Sequence, residues 1–165
     1  MIKIIAYFFS ICLVCSCNFY SFSGASISTG IKRINIEYFK NDAKNYKSNI
    51  DVIITNKLTD LILNQTNLEI NKKKFEIEIN GKIINYEIVP ISISSDDLAN
   101  LNRLKIEVLV ECTNFVKKEE SYKENFTRYA DYDSAQNIID IEDDLIDQIL
   151  NEICEDIFNK TFLNW

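Results

Sequence analysis

The chain contains no histidine, three glycines and one proline among its 165 residues. Without histidine it lacks the commonest general base near neutral pH and the commonest metal ligand. So few glycines leave no phosphate-cradling loop: G-x-G-x-x-G, the P-loop and G-x-S-x-G are all absent. Positive charge is in the minority, with 18 Lys and Arg against 25 Asp and Glu and a net charge of −7. An acidic chain is a poor partner for nucleic acid, whose phosphates call for clustered Lys and Arg. Long apolar runs are missing too. The run Ile4–Val14 is about 11 residues, too short to cross a bilayer but suited to the apolar segment of a secretory signal.

What the chain does have begins where that run ends, at Val14-Cys15-Ser16-Cys17. Lipoprotein processing in bacteria needs a small residue before the cysteine and a branched apolar residue three positions upstream. Ser16 and Val14 supply both for Cys17. Residues 1–16 therefore read as a lipoprotein signal peptide and Cys17 as the lipid-attachment site and new N-terminus. Two or more acyl chains, at about 0.8 kcal/mol per buried CH₂, hold a protein on a membrane for good. The expectation is a membrane-tethered domain outside the cytoplasm, with about 150 residues left to build one core.

Residues 17–30 read as a lipidated tether, rich in Ser and Gly but carrying Phe19, Tyr20 and Phe22. Fully extended, it reaches roughly 45 Å. Residues 31–165 read as a single α/β domain. Ile34, Ile36 and Tyr38 alternate with polar residues and predict a strand over 31–39. Ser48 with Asp51 three residues on predicts a helix start, and Ile50, Ile54, Leu58 and Leu61 carry a helix over 49–65. Phe75, Ile77 and Ile79 alternate again, and the phase slips to Ile84, Tyr86 and Ile88 after Gly81, which predicts a bulge at that glycine. Pro90 is expected to end this strand. Leu104 to Cys112 form the next, Lys117–Ser121 a turn, and Tyr122–Tyr129 the last strand. Asp131–Ser134 are expected to cap a helix over 134–162. The predicted architecture is a two-layer α/β sandwich: a four-stranded mixed sheet with two helices on one face, in the order β-α-β-β-β-α. That is too few strands for an outer-membrane barrel.

No catalytic constellation emerges, and nothing calls for a cofactor or a metal. Asp131, Asp133 and Glu142 match part of a calcium loop, but Gln136 stands where the loop needs its glycine, so helix capping is the better account. Cys112 and Cys154 either pair outside the cytoplasm or lie buried as thiols. The lysines carry more. Short connections would bring Lys72, Lys73, Lys74, Lys117 and Lys118 to the end of the sheet where the tether enters, making them candidate contacts for anionic lipid or glycolipid. Solvated turn lysines are the plainer alternative. At the other terminus, Phe162 and Trp165 either cover the sheet end or stay exposed as a partner contact.

Several strings, taken together, resemble one family. They are the lipoprotein cysteine, Tyr20–Ile27 (YSFSGASI), Leu101-Asn102-Arg103-Leu104, Phe126–Ser134 (FTRYADYDS) and Asp156–Trp165 (DIFNKTFLNW). In this order they resemble the lipopolysaccharide-assembly outer-membrane lipoproteins (LptE-like), in their Bacteroidota-type branch. The resemblance implies a two-layer α/β domain anchored at the periplasmic side of the outer membrane. It also implies a β-barrel lipopolysaccharide translocon as partner, which the domain plugs and helps assemble, with lipopolysaccharide as cargo and no enzymatic activity. Of site residues it carries over only Cys17. A tethered lipoprotein that binds a soluble periplasmic ligand or peptidoglycan is the alternative reading.

Overall fold

In a computed structural model of the chain, residues 30–44, 47–92 and 100–163 are described. The elements follow in chain order as β1 (Arg33–Ile36), β2 (Lys40–Asn41), α1 (Ile50–Gln65), β3 (Glu69–Ile70), β4 (Ile77–Ser92), β5 (Asn100–Asn114), β6 (Tyr122–Asp133) and α2 (Ile138–Phe162). A single 3-10 turn, Lys118–Glu120, precedes β6. The sheet runs β3-β1-β4-β5-β6, with β2 also paired to β4. Strands β1, β2 and β3 join it in parallel, whereas β4, β5 and β6 form an antiparallel meander.

The two-layer sandwich and mixed sheet are as expected, but the described residues form a sheet of six strands rather than four. The order is β-β-α-β-β-β-β-α rather than β-α-β-β-β-α. Strands β2 and β3 are two residues each, too short for alternation to register in a sequence. The first of them has a further consequence. Ile36 pairs with Ile79, but Lys40 pairs with Lys82, so four residues on one strand span three on the other. That extra residue shifts the phase: Phe39 is buried, and Tyr38, expected inward, is 63% exposed.

Phe39 explains Gly81. A Cβ at Gly81 would lie 2.5 Å from the Phe39 Cδ1 and 2.7 Å from its Cζ, with Cε1 nearer still. The glycine is the seat of an aromatic ring and not the bulge. The bulge falls between Ile83 and Asn85 instead, and it returns Tyr86 to the core face. Nor does Pro90 end β4. Among the described residues, β4 beyond Ile83 pairs with β5 alone, and a proline is accommodated on an edge that makes no ladder bonds.

The core lies between one face of the sheet and the two helices. Ile34, Ile79, Ile83, Leu104 and Ile106 from the strands meet Ile50, Ile54, Leu58 and Ile62 from α1 and Ile149, Leu150 and Ile153 from α2, all fully buried. Each such side chain contributes roughly 1.5–3 kcal/mol on leaving water. The helix ends differ from expectation. At α1 the cap position is Asn49, not Ser48, with φ of 70° and no side-chain cap bond; asparagine tolerates that left-handed geometry. Strand β6 continues through Asp133, and Asn137 caps α2, its side chain accepting from the Ile139 N–H at 3.3 Å. The helices join through Lys57, which reaches Asp147 at 2.6 Å and Asn151 at 2.8 Å.

Candidate functional site

The described chain enters at Gly30 and is fastened at once. Backbone N–H groups of Lys32 and Arg33 donate to Glu76 Oε2 at 3.1 and 2.8 Å, and the Arg33 guanidinium pairs with Oε1. That guanidinium, with the backbone donors, holds the Glu76 carboxyl down to about 2. Entry and the start of β4 are thereby locked at one end of the sheet.

A short crossover then forms the first lysine cluster. Residues 71–76 carry the chain from β3 past β1 to β4, bracketed by Asn71 N–H donating to the Ile34 carbonyl (2.9 Å) and Glu76 N–H donating to the Arg33 carbonyl (3.0 Å). Within it the Asn71 side chain accepts from the N–H groups of Lys73 and Lys74, both at 3.0 Å. This Asx turn is what asparagine favours, and it leaves Lys72, Lys73 and Lys74 exposed. The Lys72 ammonium lies 5.8 Å from the centre of the Tyr38 ring.

A buried asparagine shapes the second cluster. Asn114, 3% exposed, accepts through Oδ1 from Val116 N–H (3.0 Å) and Lys117 N–H (2.8 Å) and donates to Glu120 at 3.0 Å. The turn from β5 to β6 is thus fixed from inside. Lys117 is engaged by Glu120 at 2.8 Å, while Lys118 is exposed and outside the ion pairs of the described residues.

The structure brings these two loops together. Phe115 N–H donates to the Glu76 carbonyl at 2.8 Å, and the Phe75 and Phe115 rings meet edge-on with centroids 5.8 Å apart. The union adds residues that sequence reasoning missed. Phe115 is 53% exposed and Val116 51% exposed, an apolar pair flanked by lysines. Their signal was in the sequence: Phe-Val directly before Lys-Lys, after the alternation of β5 has ended, has no inward phase to occupy.

Other expectations fare differently. Phe162 is 3% exposed and stacks on Phe158 at 5.1 Å, so it covers the core and offers no partner contact. Cys17, the signal peptide, the tether up to residue 29 and Trp165 lie outside the described residues. Cys112 and Cys154 are both free and buried, not bridged. Desolvation pushes each thiol up to about 12. Asp131 forms a bidentate pair with Arg103 (2.7 and 2.8 Å), and Glu142 accepts from the Tyr86 hydroxyl at 2.5 Å, so the two acids serve separate partners. Among the described residues, no three His, Cys, Asp or Glu side chains gather as a metal site, and no helix is long and apolar enough to cross a membrane.

Away from the helices, the sheet presents a ladder of charge. Lys105 pairs with Glu87, Lys123 with Glu111, and Arg103 lies 3.5 Å from the centre of the Tyr129 ring. Such exposed pairs add little stability each, but they give the domain a wet, polar flank. An open groove of about 660 Å³ follows the outer edge of β6, with Arg128, Asp156 and Lys160 among its walls.

The family model described as lipopolysaccharide-assembly, LptE, matches residues 31–161. No curated protein matches significantly. Among solved structures, the chain is similar to the hypothetical protein CT253 from Chlamydia trachomatis. The two are 9% identical, 81% of this chain and 99% of that one are covered, and the TM-score is 0.56. It is also similar to protein XCC0632 from Xanthomonas campestris, at 7% identity over 84% and 91% with a TM-score of 0.57. Both likenesses concern the fold.

Proposed function

This chain belongs to the LptE lipopolysaccharide-assembly family, and on that premise we propose that it is an outer-membrane lipoprotein that plugs a β-barrel lipopolysaccharide translocon. On this reading it is anchored through Cys17 on the periplasmic side, helps the barrel assemble, and assists delivery of lipopolysaccharide to the outer leaflet. It carries out no covalent chemistry. The observation that carries the proposal is the family match over nearly the whole domain. Two features of the domain agree with it. The sheet flank is laced with ion pairs, which suits a surface enclosed in a wet barrel lumen. Exposed lysines gather where the chain enters, and ammonium groups are point-charge partners for phosphate.

Mild-detergent purification of the tagged, lipidated protein from its own membranes tests the barrel. A single large barrel in near-equal amount is the expected result. The protein recovered alone, from membranes rich in such a barrel, would favour a tethered lipoprotein that binds a periplasmic ligand or peptidoglycan. The cargo reading has its own test. Reversing charge at Lys72–Lys74 and Lys117–Lys118 is expected to weaken lipopolysaccharide binding at unchanged fold; binding at wild-type strength would remove these lysines from the account.

A further inference from the structure

The lysines and the exposed apolar pair Phe115-Val116 belong to one surface, and lysines alone do not account for it. A glycolipid phosphate needs the ammonium groups. It does not need a phenylalanine and a valine held half in water at the tip of a turn that a buried asparagine makes rigid. Phe115 and Val116 are adjacent and the Phe75 ring meets Phe115, so the apolar surface here is contiguous rather than scattered, the arrangement that marks a contact surface. Apolar tips ringed by lysine are the composition that seats a protein at the headgroup level of a bilayer, the apolar atoms below the phosphates and the ammonium groups among them.

We infer that this end of the domain, with Phe115 and Val116 as its apolar tip and the exposed Lys73, Lys74 and Lys118 on the two loops that meet there, docks on the surface of an anionic phospholipid bilayer. Charge complementarity selects the lipid surface: in a chain of net charge −7, the exposed Lys32, Lys73, Lys74 and Lys118 outnumber the exposed acids Glu69 and Glu119 at this end, whereas at the opposite end α2 begins with Asp140, Glu142, Asp143 and Asp144. Chain connectivity agrees. Gly30, where residues 1–29 join the domain, is followed directly by Lys32 and Arg33 on Glu76, whose carbonyl accepts from Phe115. A tether reaching a membrane from Cys17 would leave from this same end. The inference concerns phospholipid and the domain's orientation; it uses the anchor reading but neither the barrel nor lipopolysaccharide.

The test places a single tryptophan at either end of the full lipidated chain. Phe115→Trp and Ile139→Trp are each made with Trp165→Phe. Ile139 is 77% exposed near the start of α2 and serves as the distal reference. Flotation with vesicles and the mass of the N-terminal peptide establish the anchor first, so that its failure is read separately. Vesicles of phosphatidylcholine and phosphatidylglycerol with brominated acyl chains then report depth. Several-fold stronger quenching at position 115 than at 139 is expected, and it should fall toward the distal value on phosphatidylcholine alone or with Lys73→Glu, Lys74→Glu and Lys118→Glu combined. Equal quenching at both ends, stronger quenching at 139, or quenching at 115 indifferent to lipid charge would overturn the proposal. A tryptophan at 115 that bromine misses but aqueous iodide reaches would also overturn it, leaving the tip to a protein partner.

Discussion

Replacing Gly81 by alanine tests the packing that sets the N-terminal half of the sheet. The new Cβ would stand 2.5 Å from the Phe39 Cδ1 and 2.7 Å from Cζ, where ordinary contact needs about 3.5 Å or more. Phe39 is 2% exposed, so its ring has no open side into which to swing. Overpacking of this kind costs about 1–3 kcal/mol, and a central figure of about 2 kcal/mol would lower Tm by roughly 4–8 °C in a domain of this size. Urea unfolding followed by far-UV circular dichroism measures it, with an unchanged slope showing that the denatured state is unaffected. The control is the cycle with Phe39→Ala, which by itself should cost about 3–5 kcal/mol. With the ring gone, Gly81→Ala should be neutral, or stabilising by up to about 1 kcal/mol, since glycine in a strand is entropically costly. Equal costs of Gly81→Ala in the two backgrounds would refute the reasoning, because the clash would then have nothing to do with Phe39.

Three further outcomes are expected. Glu76 has its pKa depressed to about 2, so its contribution to stability is whole above about pH 4.5 and fades as pH falls toward 2. Glu76→Gln should therefore flatten the pH dependence of unfolding within that window and leave the profile unchanged below it; a profile identical to wild type throughout would contradict the assignment. Cys112 and Cys154, with thiols pushed up to about 12, should resist alkylation at pH 8 in the native protein and react promptly in denaturant, read by mass. Removing the α2 cap with Asn137→Ala should cost about 1 kcal/mol in the same urea assay, whereas Ser134→Ala, at the position expected from sequence to cap, should cost almost nothing.

The sequence was most legible where period and length were both generous. Ile50, Ile54, Leu58 and Leu61 marked α1 to within a residue, although Ile62 and not Leu61 is the fully buried position of that turn, and the alternation from Leu104 to Cys112 fell on the buried face throughout. It failed where tertiary pairing sets the geometry. Strands of two residues hold no period, so β2 and β3 were invisible. A one-residue excess between Ile36 and Lys40 exchanged Tyr38 for Phe39, and no local rule announces such an excess. Gly81 drew attention for the right residue and the wrong reason: a seat for a ring and a bulge leave the same mark on a sequence. At the candidate site, the meeting of the loop that carries Lys72–Lys74 with the turn that carries Lys117–Lys118 followed from chain direction alone, though not the reach of Lys72 toward Tyr38. The part played by Phe115 and Val116 did not, because exposure at a turn depends on what the buried Asn114 holds in place.

The pairing of β1 with β4 also governs when the chain can fold. Arg33 and Glu76 are 43 residues apart, and among the described residues β1 pairs with no strand nearer in sequence than β3. The meander β4-β5-β6 closes through shorter loops, the kind of contact that forms early. Synthesis runs the other way, releasing β1 and α1 first. Ile34, Ile50, Ile54, Leu58 and Ile62, fully buried at the end, thus leave the ribosome with nothing yet made to cover them. Until Asn114 and the strand after it have emerged, the first third of the domain is an apolar helix waiting for its sheet. A stripe exposed in that interval is the kind of surface through which two unfinished copies associate.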